Sequence, residues 1–266
     1  MKKKKALILG AAGSIGSELT RQLAKDYTCY VVDINETGIF ELREELGVAG
    51  RIGDIRNKET MNDVFSDFKP DIVYHCAAYK HVPLGQEIPD EVIATNIGGT
   101  QNVLRYAQIW EVPKLVFIST DKAVSPKTVM GKTKSLGEDL TLNAGYTVVR
   151  FGNVLNSRGS LIPIWQKQAD EGKPITVTDK RMTRYFMTIE DAVRLVIDAH
   201  EHGNAIVVLD MGEKINIAEL AEQIIKGKDI SIQVTGKRPG EQLTEETMWP
   251  DERERAVKKD KYYIIK

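Results

Sequence analysis

The chain has few residues of the kinds that build metal sites or disulfide frameworks: two cysteines and four histidines among 266 residues. Cys29 and Cys76 each stand alone on a strand-like stretch, so they read as buried free thiols in a reducing compartment. The histidines lack ligand spacing, and no metal site is expected. Charge of one sign is missing too. With 37 basic against 38 acidic residues the net charge is -1, which gives no pull toward nucleic acid or an anionic membrane. No apolar run has the length that spans a bilayer. The basic start Met1–Lys5 is followed only by Ala6–Leu9 before a glycine turn, too short a core for a signal peptide. Internal repeats and low-complexity segments are absent. What remains is a 42% hydrophobic chain, large enough to bury a core and expected in the cytoplasm.

Short apolar runs at Ala6–Leu9, Cys29–Val32, Ile72–Tyr74, Leu115–Ile118 and Thr147–Val149 alternate with amphipathic stretches. Strand-length segments alternating with helix-length ones predict an α/β fold, a Rossmann-type doubly wound parallel sheet covered on both faces. The longest helices of this half are expected over Glu87–Trp110 and Met130–Asn143. After Arg150 the rhythm loosens. Ser160–Glu171 and Thr188–His202 read as helices, Ile175–Val177 as a short strand, and Ala205–Leu209 as another parallel strand. The division is therefore a dinucleotide-binding domain over residues 1–152 and a smaller, interleaved C-terminal substrate-binding region over 153–266, with about 188–210 returning to the Rossmann sheet. Lys237-Arg238-Pro239-Gly240 marks a loop, and the charged end from Asp251 to Lys261 is expected to be solvated.

Gly10-Ala11-Ala12-Gly13-Ser14-Ile15-Gly16 follows the first strand and opens a helix. Glycine there permits a tight turn and brings backbone N–H groups to a pyrophosphate at a helix N-terminus. Asp33 ends the second strand, where a carboxylate accepts bonds from the ribose 2′-hydroxyl of NAD and repels the 2′-phosphate of NADP. NAD is therefore expected over NADP, although a helix N-cap is a second reading of Asp33. Asp54 and Ile55 close the third strand, and Ala77 and Ala78 end the fourth, where small side chains let a dinucleotide lie against the sheet.

These features are similar to extended short-chain dehydrogenases, including the Asn96-x-x-Gly-Thr helix motif. Ser119-Thr120-Asp121-Lys122-Ala123-Val124, Tyr79-Lys80-His81-Val82-Pro83, Arg150-Phe151-Gly152-Asn153, Ser157-Arg158-Gly159-Ser160, Met182-Thr183-Arg184-Tyr185-Phe186-Met187 and Arg238-Pro239-Gly240-Glu241 narrow the likeness. Together they resemble the UDP-N-acetylglucosamine 4,6-dehydratases of the polysaccharide-biosynthesis (CapD-like) family, a group of lyases. The resemblance implies C4 oxidation by bound NAD, loss of water across C5 and C6, and return of the hydride to C6.

By that resemblance Lys122 removes the C5 proton, Asp121 protonates the departing C6 hydroxyl, Thr120 bonds O4, and Lys134 holds the nicotinamide ribose. Gly10, Gly13, Ser14, Ile15, Gly16, Asp33, Asp54, Ile55, Ala77, Ala78, Lys80 and Asn96 would complete the cofactor site. Lys80, His81, Asn153, Arg158, Arg184, Arg238 and Glu241 would bind the UDP-sugar, arginine suiting bidentate diphosphate contacts. The position of the usual tyrosine base holds Met130, whose thioether accepts no proton. The O4 proton then needs another acceptor, Asp121 first and Lys122 second. Burial raises an aspartate pKa and lowers a lysine one, whereas mutual attraction does the reverse, so the pair would titrate together. A 4-epimerase of the same fold and a non-catalytic dinucleotide-binding protein are the competing readings. The resemblance also implies a homodimer or higher homo-oligomer packed through the two long helices.

Overall fold

Each apolar run of the first half becomes a strand in the computed structural model, which describes residues 3–266; Met1 and Lys2 of the basic start lie outside the described residues. In chain order the first half holds β1 Lys5–Leu9, α1 Ser14–Leu23, β2 Thr28–Asp33, α2 Glu36–Leu46, β3 Ala49–Ile52, α3 Lys58–Phe68 and β4 Ile72–His75. It continues through α4 Val82–Glu87, α5 Pro89–Ile93, a π-helical segment Ala94–Gly99, α6 Thr100–Ile109, β5 Lys114–Ile118, α7 Val129–Asn143 and β6 Thr147–Arg150. The second half adds β7 Asn153–Val154, α8 Leu161–Asp170, β8 Ile175–Val177, β9 Thr183–Arg184, β10 Phe186–Met187, α9 Ile189–Ala199 and β11 Ile206–Leu209. It closes with β12 Ile215–Asn216, α10 Ile217–Ile225, β13 Ile232–Val234, α11 Pro250–Arg255, β14 Val257–Lys259 and β15 Tyr262–Ile265.

The main sheet runs in the order 3-2-1-4-5-6-11-15-14. It is parallel from β3 to β11, and β15 and β14 are added antiparallel. Period-two alternation divides it between two cores. Ala6, Ile8, Val31, Tyr74, Val116, Val149 and Val207 face one side with α9, and Leu7, Leu9, Val32, Val73, Phe117, Val148 and Val208 face the other. A third cluster, with Trp165, Ile175, Met182 and Ile217, holds the smaller region together. Strand order reverses between β1 and β4, where the carboxyl ends of strands leave a crevice. No helix among the described residues is long and apolar enough to cross a membrane.

Two local expectations are corrected. The helix expected over Glu87–Trp110 is broken at Ile88, which has φ -129° and ψ 64°. Pro89 follows it, and proline drives its predecessor out of the helical region. The renewed helix then passes through the π-helical segment, where Gly99 packs so closely on Ile55 that an added Cβ would lie 2.5 Å from its Cδ1. The charged end is not merely solvated. Within Asp251–Lys261, α11 presents Glu252 inward, 5% exposed, and β14 pairs with β15 at the sheet edge. Charge density hid the strand because only one of its acidic neighbours has a buried partner.

That partner is Arg150, 1% exposed at the end of β6. Its Nη2 meets Glu138 of α7 at 2.5 Å, and its Nη1 meets Glu252 at 2.7 Å and the Thr247 carbonyl at 3.0 Å. Removing one member of a buried ion network leaves the others unpaired, at roughly 3–5 kcal/mol. Arg150→Met is expected to lower unfolding free energy by about that amount in denaturant titration, with amide exchange in β15 accelerating first.

Candidate active site

Gly10 follows β1 with φ +77°, and an added Cβ would lie 2.5 Å from the Ala77 nitrogen. Only glycine lets the turn press this closely on the end of β4. At Gly16 an added Cβ would meet the Gly10 carbonyl oxygen at 2.3 Å, so α1 could not start here with any other residue. Gly13 caps α1 without a side chain, leaving the first N–H groups and the positive end of the dipole open to an anion. Gly10, Gly13, Ser14, Ile15 and Gly16 line one end of a cleft of about 660 Å³.

A side pocket of about 340 Å³ opens from this turn, lined by Asp33, Asp54, Ile55, Ala77 and Ala78. Asp33 Oδ2 accepts the Ala12 N–H at 2.9 Å and Oδ1 accepts that of Asn35 at 2.9 Å. Asn35, not Asp33, caps α2 through the Gly38 N–H. Asp54 is tied to Arg56 at 2.7 Å. An open helix terminus, a fixed carboxylate at a strand end and small residues along the sheet edge fit a dinucleotide. Asn96 does not reach this pocket. It is 1% exposed and bonds both backbone groups of Tyr79 and the Thr133 hydroxyl, so it holds up the Tyr79–Lys80 loop from below. Cys29 is buried as expected, but Cys76 is only half-buried and lies on the cleft floor; burial pushes its thiol up to about 12, which keeps it protonated.

Thr120, Asp121 and Lys122 form a tight turn directly after β5, anchored by the Asp121 N–H donating to the Phe151 carbonyl at 3.0 Å. Asp121 is 1% exposed and does not line the cleft; Thr120 and Lys122 do. The Thr120 hydroxyl donates to Asp121 Oδ1 at 2.9 Å, connecting the carboxylate to the cleft. Lys122 Nζ lies 3.0 Å from Asp121 and 2.9 Å from Glu245. Burial opposes the Lys122 charge, but the two carboxylates outweigh it and hold the ammonium well above its ordinary range. Burial likewise pushes Asp121 up, but Lys122 and the hydrogen bonds to its carboxyl hold it below the usual value. Attraction therefore prevails over desolvation in this pair.

Glu245 is the group that sequence reading missed. It lines the cleft, is 5% exposed, and burial raises its pKa to about 7 against the opposing pull of Lys122. Its neighbour Glu246 pairs outward with Lys214 and Arg253, so two adjacent glutamates look alike until the loop is folded. Lys134 is buried on α7, donates to the Ile118 carbonyl and sits 4.1 Å above the Phe117 ring; burial lowers it to about 8. Met130, 4% exposed, lines the cleft one turn earlier.

Lys80, His81, Asn153, Arg158, Arg184, Arg238 and Glu241 all reach the cleft, in different conditions. Arg184 is already used: its guanidinium donates to the carbonyls of Thr183, Gln242 and Leu243 and pairs with Glu245 at 3.3 Å. It positions the Gln242–Glu245 loop instead of presenting a fork to a diphosphate. Arg158 leans on the glycine turn, donating to the Ala12 carbonyl at 2.9 Å, and so borders the cofactor side as well. Lys80 Nζ bonds the Arg158 carbonyl at 2.7 Å, and His81 packs on Gly159. Asn153 accepts from Lys122 at 3.3 Å. Glu241 accepts from Thr178 and from the Arg238 N–H, leaving the Arg238 side chain as an exposed cation at that rim.

A family model described as polysaccharide biosynthesis protein matches residues 6–266. The chain is 44% identical over 269 residues to the capsular polysaccharide biosynthesis protein CapD of Staphylococcus aureus, covering 92% of this chain and 45% of that one. It thus spans about half the length of that relative. It is 36% identical to a UDP-glucose 4-epimerase of Rickettsia bellii, covering 98% of this chain and 82% of the relative. To the inverting UDP-N-acetylglucosamine 4,6-dehydratase of Campylobacter jejuni it is 34% identical, covering 99% and 83%. The solved structure of Pen from Bacillus thuringiensis superposes with a TM-score of 0.94 at 36% identity, covering 99% of this chain and 86% of that one. The chain belongs to the polysaccharide biosynthesis protein family, whose relatives include nucleotide-sugar dehydratases and epimerases.

Proposed function

We propose that the protein is a UDP-N-acetylglucosamine 4,6-dehydratase using NAD. The observation that carries this reading is Lys122, held on the cleft wall between two carboxylates with Thr120 beside it. A nicotinamide dinucleotide, when bound, supplies hydride acceptance from C4 and its return to C6. The chain's own residues must then move protons. The Thr120 hydroxyl, already donating to Asp121, offers O4 a path: as Thr120 accepts the O4 proton it passes its own to the carboxylate. This replaces the missing tyrosine without asking Met130 for chemistry. Lys122 takes the C5 proton, which the C4 ketone acidifies, and later returns it. Buried Lys134 adds positive charge near the cofactor end, and Arg158 and Arg238 are the cations placed for the diphosphate.

The epimerase reading draws support from the Rickettsia relative. An epimerase must manage the O4 proton and the two faces of C4, but it has no step for an acid–base pair working across C5 and C6. Exposed Leu84, Ile88, Ile93, Ile109, Trp110 and Leu136 on α4 to α7 support a homodimer through those helices.

Incubation with UDP-N-acetylglucosamine and mass spectrometry tests the reaction: loss of one water supports dehydration, and an isomer of unchanged mass supports epimerisation. Lys122→Ala is expected to cut turnover by roughly 10²–10⁴-fold. Met130→Leu, a near-isosteric change, keeps most of the activity in the same assay. For the cofactor, Asp33→Ala is expected to weaken NAD and relieve the exclusion of NADP, read by calorimetric titration of both.

A further inference from the structure

On the dehydratase reading, two protons must leave their resting places before water can be eliminated: the O4 proton and the one on Lys122. The C6 hydroxyl must in turn be given a proton. Asp121, expected from the resemblance to supply it, is closed off from the cleft behind Thr120 and Lys122 and is already the terminus of the Thr120 path. Glu245 does line the cleft, and its Oε2 is 2.9 Å from the Lys122 ammonium. The other charged groups facing it are Asp121 and Arg184.

We infer that Glu245 is the acid that protonates the departing C6 hydroxyl, and that its proton comes from Lys122. A Lys122 N–H bond breaks and an O–H bond forms on Glu245, which makes the base neutral and the acid protonated in one transfer. Lys122 then bonds the C5 proton, the C5–H electrons become the second bond of C5=C6, and the C6–O bond breaks. Glu245 gives its proton to the leaving oxygen, which departs as water. When hydride reaches C6, the double-bond electrons take the proton back from Lys122 at C5. Lys122 is recharged from Asp121, 3.0 Å away, which surrenders the proton it received from O4. The cycle ends as it began, with Lys122 charged and both carboxylates ionised. The O4 proton on Asp121 first removes one of the two carboxylate charges that hold the Lys122 ammonium up, and a Glu245 pKa of about 7 lets it take and give a proton near neutral pH.

The experiment compares the wild type, Glu245→Gln, Glu245→Asp and Asp121→Asn with UDP-N-acetylglucosamine under single-turnover conditions. It follows near-ultraviolet absorbance of the reduced cofactor, water loss by mass, and solvent deuterium entering C5. Glu245→Gln is expected to oxidise C4 at close to the wild-type rate. Its water loss and C5 exchange should fall by roughly 100-fold or more, so reduced cofactor accumulates, and Glu245→Asp should restore part of both. Asp121→Asn is expected to fail earlier, at C4 oxidation. The inference is overturned if Glu245→Gln loses water at the wild-type rate, or if it loses C4 oxidation and water loss in equal measure. A wild type that forms no dehydrated product overturns the dehydratase reading itself, which the variants alone cannot do.

Discussion

The site rests on one buried guanidinium. Every N–H of Arg150 that bonds Glu138, Glu252 or Thr247 ties together three parts of the chain that border the cleft. Through Glu138 it fixes α7, which carries Met130 and Lys134, and Glu138 also accepts from Ser119 beside the Thr120–Lys122 turn. Through Thr247 it fixes the segment that delivers Glu245. Through its own backbone it leads into Phe151, whose carbonyl holds the Asp121 N–H. A cation buried this deeply is tolerable only when all its donors are met, so the arrangement admits little slack.

That rigidity is what allows the electrostatics of the cleft to be so finely divided. Asp121 and Glu245 touch the same ammonium, yet their pKa values move in opposite directions. Burial pushes both up, but Asp121 receives hydrogen bonds from Thr120 and Lys122 that outweigh it, whereas Glu245 also faces the negative charge of Asp121. Two carboxylates in one place thus acquire different proton affinities from their surroundings.

The sheet and most of the site were legible because they are written in local patterns: apolar runs, a glycine turn, an acid at a strand end. What failed to show depends on partners far along the chain. Arg184 and Arg158 carry the right chemistry for phosphate, but the number of donors left free is decided by folding, and Arg184 has spent its donors on its own loop. Asn96 was placed beside the cofactor by its motif, and the motif turns out to support a loop. Glu245 had no distinguishing neighbour at all. Its value comes from Lys122, 123 residues earlier.

The same separation has a meaning in time. Arg150 and Glu252 are 102 residues apart, and β15 must slip between β11 and β14 to complete the sheet. At about 5–20 residues per second of synthesis, a nascent chain has only Glu138 to offer Arg150 for roughly 5–20 seconds after β6 emerges, before Glu252 is made. For nearly all of that interval β1 to β6 are complete while Glu245, the partner of Lys122, is still unmade. The glycine turn and its six parallel strands are therefore made well before the carboxy-proximal segment that completes the Lys122 cluster and adds the last strands of the sheet.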